Sequence, residues 1–315
     1  MRAYIIRRLI TGIFILFILS VVIFVLMRLA PGDPAILECG LGASPECIAA
    51  KREQLGLNDS WPVQYGNWIR DVSTGDLGLE AITHDPVADT LKARFPVTLE
   101  LMIITMIATV AIGVPFGVIS ALYRNSPADY GVRVTAVMGL SVPNFWVATL
   151  VIIIPQELWG YAPTFARSIS FTDDPVGNLQ QFVPPALVLA MASAAGIMRL
   201  TRSSLLEVMG TDYVRTARSK GLRESLVVSR HALKNSMIPV VTVLGLQIAF
   251  LLGGTVIIER IFALPGVGLY LFESLLSKDF QVVQSLTVLV GAVVISMNLL
   301  VDIAYAWLDP RIRYA

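Results

Sequence analysis

Six uncharged apolar stretches divide this chain. Leu9–Met27 lies between Arg8 and Arg28, Leu101–Tyr123 between Glu100 and Arg124, and Val134–Gln156 between Arg133 and Glu157. Pro175–Met198 precedes Arg199, Asn235–Ile258 lies between Lys234 and Glu259, and Phe280–Val301 between Asp279 and Asp302. Each is about 19–24 residues long, and a helix needs about 20 apolar residues to cross the hydrocarbon core of a bilayer. The pattern predicts an all-α, polytopic membrane protein with six transmembrane helices. Pro143 with Gly139, and Pro184-Pro185, are expected to interrupt the third and fourth helices. Broken spans expose backbone near transport paths, so Pro143, Asn144 and Pro184 are candidate pathway residues, with packing kinks as the alternative.

The polar segments are unequal. Residues 31–95 are rich in turn formers, and "SPECIAAKREQLG" carries helix punctuation: Ser44 as N-cap, Pro45 in the first turn, Gly56 as terminator. Trp61, Tyr65 and Trp68 follow, as an interfacial belt would. The chain therefore divides into residues 1–96, a spanning helix (about 9–29) with a polar cap, and residues 97–315, a core of five spanning helices. The stretch "ERIFALPGVG" at 259–268 reads as an outer re-entrant or interfacial turn. Glu259, Pro265 and Gly266 are candidate gate residues there, although helix capping also accounts for the glycines.

Composition agrees with a membrane protein: 55% hydrophobic and 15% charged residues, mean hydropathy +0.71, against about 25% charged in soluble domains. A net charge of +1 gives no global field for nucleic acid. The first apolar stretch is too long for a typical signal-peptide core, and "RLAPGDPA" puts proline directly after the candidate cleavage site at Ala30. An uncleaved anchor is expected. With the N-terminus in the cytosol, Arg2, Arg7, Arg8, Arg124, Arg133, the basic run 199–234, Arg311 and Arg313 all lie inside. The two short outer loops hold only Arg167, Arg260 and Lys278. A multi-pass protein of the cytoplasmic membrane with both termini cytosolic is expected. Cys39 and Cys47 then lie outside, where a disulfide would persist and pin a small loop. Two unrelated small side chains are the alternative.

Catalytic motifs are missing. The chain has no GxxxxGK[ST] phosphate loop, no HExxH helix and no GxSxG elbow. His84 and His231 are far apart and neither has metal-ligand spacing, so no catalytic residue, metal or cofactor is expected in this chain. Proton-driven carriers place acidic residues within their spans. The nearest case is Asp302, four residues after Asn298, where a structural polar contact or cap is the simpler role.

Residues 199–236 are too basic and too long for a simple turn, and topology alone explains the charge but not the pattern. Val214, Ala217 and Gly221 recur at i, i+3 and i+7, a narrow face of small residues, with Tyr213 beside Ala217. Arg215 and Arg218 share another face, with Lys220 and Arg223 nearby. Gly221 suits a helix C-terminus. A second helix, about Glu224–Asn235, would run to Pro239 at the start of the fifth span. Small residues without bulky anchors favour docking to protein over insertion in lipid.

"DYVRTARSKGL" with "RHALKNSMIP" resembles the cytosolic signature loop of binding-protein-dependent ABC importer permeases. Arg215-Thr216-Ala217 stands at that family's EAA-like triplet, Gly221 at its glycine and Ile238-Pro239 at its closing pair. "PGDPA" after the first span, "GDLG" at 75–78, "SVPNFW" at 141–146, "RLTRSSLLEV" at 199–208, "ERIFALPGVG" and "NLLVDIAYAWLDPRIRY" at 298–314 are similar, in the same order, to the first permease subunit of the dipeptide/oligopeptide branch. Leu79 and Glu80 depart from it where arginine or serine is common, and so does the cysteine pair.

The resemblance implies a MetI-like permease core plus the N-terminal helix and extracytoplasmic cap, with the coupling loop at 204–237. It implies a homologous second permease subunit, two ABC ATPases that bind ATP and Mg, an extracytoplasmic substrate-binding protein and surrounding lipid, and no ATPase activity in this chain. Di- or oligopeptides would cross by alternating access. Tyr213, Val214, Arg215, Thr216, Ala217, Arg218, Lys220 and Gly221 would contact an ATPase. Nickel, glutathione or oligosaccharide import by the same kind of complex is the alternative. From other classes, an ATP-independent carrier or channel, or a lipid-binding scaffold, remains.

Overall fold

The computed structural model describes residues 2–40, 42–160 and 168–308, and regular structure among them is helical apart from one isolated bridge, Leu79 to Pro86. The helices run α1 (Arg2–Leu29), α2 (Pro34–Cys39), α3 (Pro45–Gln54), α4 (Trp61–Thr74), α5 (Val87–Leu122), α6 (Pro127–Ser141) and α7 (Asn144–Trp159). They continue with α8 (Pro175–Met209), α9 (Asp212–Ser219), α10 (Glu224–Leu226), a π-helical turn (Val227–Ala232), α11 (Leu233–Ile261), α12 (Val267–Ser277) and α13 (Phe280–Leu308). Among the described residues four helices, α1, α5, α8 and α13, are long and apolar enough to cross a membrane, and two bent pairs raise the number to six if each is one span. Arg167, Arg311, Arg313 and the side chain of Asp302 lie outside the described residues.

The third apolar stretch is one bent pair: α6 and α7 meet at 98°. Pro143 disfavours helix at the residue before it, and Val142 is extended there, at φ −88° and ψ 127°. Pro143 then stands as the N-cap of α7. Pro184 and Pro185 do not interrupt the fourth stretch, contrary to the sequence expectation, because α8 runs through both. Phe182, Ala186 and Ala190 around them are fully buried. Unwinding there would leave backbone N–H and C=O groups without water partners, at several kcal/mol each, more than the ~3 kcal/mol that an interior proline costs a helix. Pro239 likewise lies inside α11, not after a separate second helix. The second bent pair, Glu224–Ile248 with Gly253–Ile261, turns by 62°.

Packing groups the chain into two compact units, residues 1–98 with 265–315, and residues 99–264. This is a different partition from the division of the chain at 96/97. In the first unit α1 packs on α13 and on α4. Tyr65 and Trp68 form a core here instead of an interfacial belt: their rings lie 5.5 and 6.1 Å from that of Phe24, and Trp68 is buried. They stand three residues apart on one helix face, turned to α1, whereas Trp61 is exposed. Ser44 caps α3 as expected, its hydroxyl accepting from the Cys47 N–H. Cys39 and Cys47 form a disulfide across a Cα separation of 6.3 Å, tying α2 to α3. Ion pairs Arg52–Asp33 (2.7 Å) and Lys51–Glu38 (2.9 Å) reinforce the tie.

Glu80 organises the polar loop that follows α4. Hydroxyls of Thr83, Thr90 and Tyr270 donate to its carboxylate at 2.8, 2.8 and 2.6 Å. Burial pushes the Glu80 carboxyl up, but these bonds and the Arg94 charge outweigh it and hold it below the ordinary glutamate value. Asp279 moves the other way: burial pushes it up, against backbone bonds from Ala81 and Val282.

In the second unit α8 is the central helix, packed by α6, α7 and α11. Gly113 and Gly117 on α5 lie one turn apart. A Cβ on Gly113 would stand 2.7 Å from Ile197 Cγ2, and one on Gly117 would stand 2.6 Å from Thr201 Cβ. Only glycine permits that approach, as in GxxxG contacts between membrane helices.

Closing a loop of this size with a disulfide stabilises by about 2–3 kcal/mol in the chain-entropy account. Cys39→Ser should therefore speed proteolysis within residues 33–60 several-fold, and reductant should do the same to the wild type. Equal cleavage rates would show that the bond does not hold the cap. A carboxyl whose folded pKa is lowered contributes stability above its unfolded value and loses it as pH falls through the folded value. The thermal midpoint of Glu80→Gln should thus lie below wild type near neutral pH, and the gap should close as the pH falls below the ordinary glutamate value.

Candidate functional site

The basic segment is built on a short amphipathic helix. In α9, Val214 is fully buried and Ala217 nearly so, packed on Val227 and Val208. Tyr213, Arg215, Thr216 and Arg218 are exposed on the other faces, followed by Lys220 and Gly221. Asp212 in the first turn and Arg218 in the last suit the helix dipole. Gly221 lies beyond the helix, after the C-cap Lys220, at φ +76°. No atom lies within 4 Å of where its Cβ would be. The glycine is therefore required by the left-handed backbone and does not extend the buried small-residue face, as the i+7 spacing had implied.

Two contacts stiffen this tip. The Arg218 guanidinium donates through Nε and one terminal nitrogen to Glu224, at 3.1 and 2.6 Å, a fork that joins the end of α9 to α10. The Tyr213 hydroxyl accepts from Asn235 Nδ2 at 2.8 Å, joining α9 to α11. Arg215 is only loosely paired, 3.6 Å from Asp212 with both exposed, a contact worth little in water. The exposed groups not tied inward are thus Arg215, Thr216 and Lys220, a smaller set than the sequence pattern offered.

The junction of α5, α6 and α8 holds a feature that the apolar pattern does not reveal. Asp129, on α6, is fully buried. It accepts two bonds from Arg202 on α8, each 2.9 Å, one from Ser120 on α5 at 2.5 Å, and one from the Asn125 N–H at 2.9 Å. Four donors saturate the carboxylate, and three helices meet on it. The signals were Asp129 in the first turn after the Ser126 cap, and Arg202 one turn beyond the apolar stretch that ends at Met198. Each alone reads as a boundary charge. Nearby, Ala121, Leu205 and Ala232 form a small core that seats the π turn on α5 and α8.

The candidate pathway residues of the second unit do not share one cavity. Pro184 lines an apolar cavity of about 460 Å³ with Gly139, Val147 and Met191, but Pro143 and Asn144 are not part of its lining. Glu259 is fully buried in the last turn of α11. Gly266 is the N-cap of α12, with Pro265 before it.

Breaking a buried ion pair on one side costs about 3–5 kcal/mol, because the remaining charge keeps its desolvation penalty. Asp129→Asn should lower the thermal midpoint in detergent by many degrees. Arg202→Lys should fall between it and wild type, since lysine cannot fork. Unchanged midpoints in both would show that this knot does not hold α5, α6 and α8.

Residues 113–314 match the family described as the binding-protein-dependent transport system inner membrane component, and residues 1–102 match the N-terminal family of such membrane components. The chain is 42% identical over 314 residues to a permease protein of Brucella abortus whose name assigns it to a peptide transport system, with all of both chains covered. It is 40% identical over 320 residues to the oligopeptide transport system permease protein AppB of Bacillus subtilis, again over the whole of both. It is 40% identical over 314 residues to the glutathione transport system permease protein GsiC of Escherichia coli, also end to end.

Proposed function

The chain belongs to the binding-protein-dependent transport system inner membrane component family, and we propose that it is one of two permease subunits of an ATP-driven importer of di- and oligopeptides. The observation that carries this reading beyond family membership is the mounting of α9: a preformed helix, anchored by Val214 and Ala217, with Arg215, Thr216 and Lys220 exposed. The peptide and oligopeptide names of end-to-end relatives support the substrate class. GsiC favours glutathione as a second reading, and glutathione is itself a tripeptide. Residues 1–96 then form the N-terminal helix with an extracytoplasmic cap, and both termini face the cytosol.

In this reading ATP and Mg are bound by two partner ATPases, and a binding protein delivers substrate from outside. A second, homologous permease chain completes the path. Closure of the ATPases displaces α9. The Arg218–Glu224 fork and the Tyr213–Asn235 bond carry that displacement into α10 and α11. The Asp129 knot carries it through α8 into α5 and α6. Such a rigid lever lets a push at one end switch a bundle between two packed states. Exposed Arg215 and Lys220 set the register of docking by charge, while Arg218 keeps the lever stiff.

Ala217→Asp places a carboxylate against Val227, where burial of an unpaired charge is costly. Co-purification of the ATPases should fall at least about tenfold while membrane insertion is unchanged. Lys220→Glu, on the exposed side, should weaken docking without disturbing the fold. Normal ATPase assembly and uptake in both variants would overturn the proposal.

A further inference from the structure

The first unit holds a cavity of about 280 Å³ that the transport reading leaves without a role. Its charged lining is Arg28, Glu38, Lys51, Lys278 and Asp279, with the imidazole of His84 beside them. Glu38 and Lys51 neutralise each other at 2.9 Å. Both Asp279 oxygens are taken by backbone, from Ala81 at 2.7 Å and Val282 at 3.2 Å. No carboxylate pairs with Arg28 or Lys278 among the described residues, although Arg28 spends its Nε on Gln64. Asp279 is thus satisfied by backbone and not by a cation, and the cavity's charges without an opposite partner, Arg28, Lys278 and Asp279, leave an excess of one positive charge.

Two further observations point to a ligand. Gln284 lines the cavity, is 2% exposed, and its Nε2 has no hydrogen-bond partner among the described residues. A buried amide donor left unmade costs about 1–3 kcal/mol, so such a group needs an acceptor. Secondly, four non-glycine residues among those described have positive φ, and two of them, His84 (+60°) and Lys278 (+59°), line this one cavity. Backbone held in the left-handed region collects at ligand sites, where its cost serves positioning. The walls are also preorganised, by the Cys39–Cys47 disulfide and the Glu38–Lys51 pair.

We propose that this cavity binds the C-terminal carboxylate of a short peptide, with Lys278 and Arg28 supplying charge and Gln284 a hydrogen bond. The remaining wall, including Leu37, Leu57 and Leu79, suits an amino-acid side chain better than the polyol of a lipid headgroup. The cavity is large enough for one or two residues. This deepens the peptide reading and rests on it: the cap would hold substrate by its carboxylate.

The test uses the full chain in phosphatidylcholine nanodiscs, titrated with the dipeptide Leu-Leu and with its C-terminal amide. The free acid should bind saturably, and the amide about tenfold or more weakly, as a lost charge-assisted bond predicts. Lys278→Asn, which tolerates positive φ, and Gln284→Leu, which removes an unmet donor, should each weaken free-acid binding about tenfold and shrink the acid–amide difference. Equal binding of acid and amide, no binding of either, or wild-type affinity in both variants would overturn the assignment. So would a thermal shift given by phosphatidylglycerol, absent with the dipeptide and lost in Lys278→Asn, which marks a lipid headgroup site. Uptake by the reconstituted complex is measured separately: import without carboxylate-dependent binding sinks the cavity and leaves the permease reading standing. Carboxylate-dependent binding without import in a fully assembled complex does the reverse.

Discussion

A bilayer core offers no water to backbone N–H and C=O groups, and the rest of this molecule follows from that constraint. Each spanning segment must satisfy its backbone internally, so regular structure among the described residues is helical except for the Leu79–Pro86 bridge, which lies in a polar loop. The same constraint explains why two prolines in α8 do not end it. Unwinding would expose carbonyls and amides to hydrocarbon, at several kcal/mol for each unsatisfied group. Keeping the helix costs about 3 kcal/mol for an interior proline. Where the chain does break, at Pro143, α7 restarts within two residues and few backbone groups are left over.

With the helices so fixed, polar chemistry is pushed to their ends, where each unit gathers several helices on one carboxylate. In the second unit Asp129 collects Ser120, Asn125 and Arg202. In the first, Glu80 collects Thr83, Thr90 and Tyr270. A carboxylate offers about four acceptor sites, so one residue can bind several elements at once. Apolar packing is non-directional and a spanning helix can slide or rotate at little cost against its neighbours. A saturated carboxylate cannot follow without losing bonds, so it fixes register where apolar faces leave it loose.

The spans, the α3 caps and the α9 helix were legible in the sequence because each rests on local chemistry: an uncharged run of sufficient length, Ser44 before Pro45, and Val214 with Ala217 at helical spacing. The misreadings share a cause. Tyr65 and Trp68 were assigned to an interface from residue type, yet Phe24, 41 residues before Tyr65, decides their environment. The helical pattern marks Arg218 as a surface cation, and only the fold shows Glu224 beside it. Asp129 and Arg202 are 73 residues apart, and neither position alone reveals the other. One-dimensional pattern reports what a residue prefers, and long-range pairing reports what it is given.

The inward pairing of Arg218 changes how the signature loop should be understood. A basic helix that merely attracted an acidic partner would gain from every free cation. Here the cation in the last turn of α9 is spent on Glu224, and Gly221 adopts a left-handed backbone between α9 and α10. Both choices give up surface charge for stiffness. A docking element that has only to bind can be flexible, since flexibility costs affinity alone. One that transmits displacement, as we propose for α9, cannot, because motion absorbed in the loop would never reach α8 and α11. The fork at the tip, the Tyr213–Asn235 bond and the Asp129 knot all lie within the second unit, and each replaces a compliant contact by a directional one.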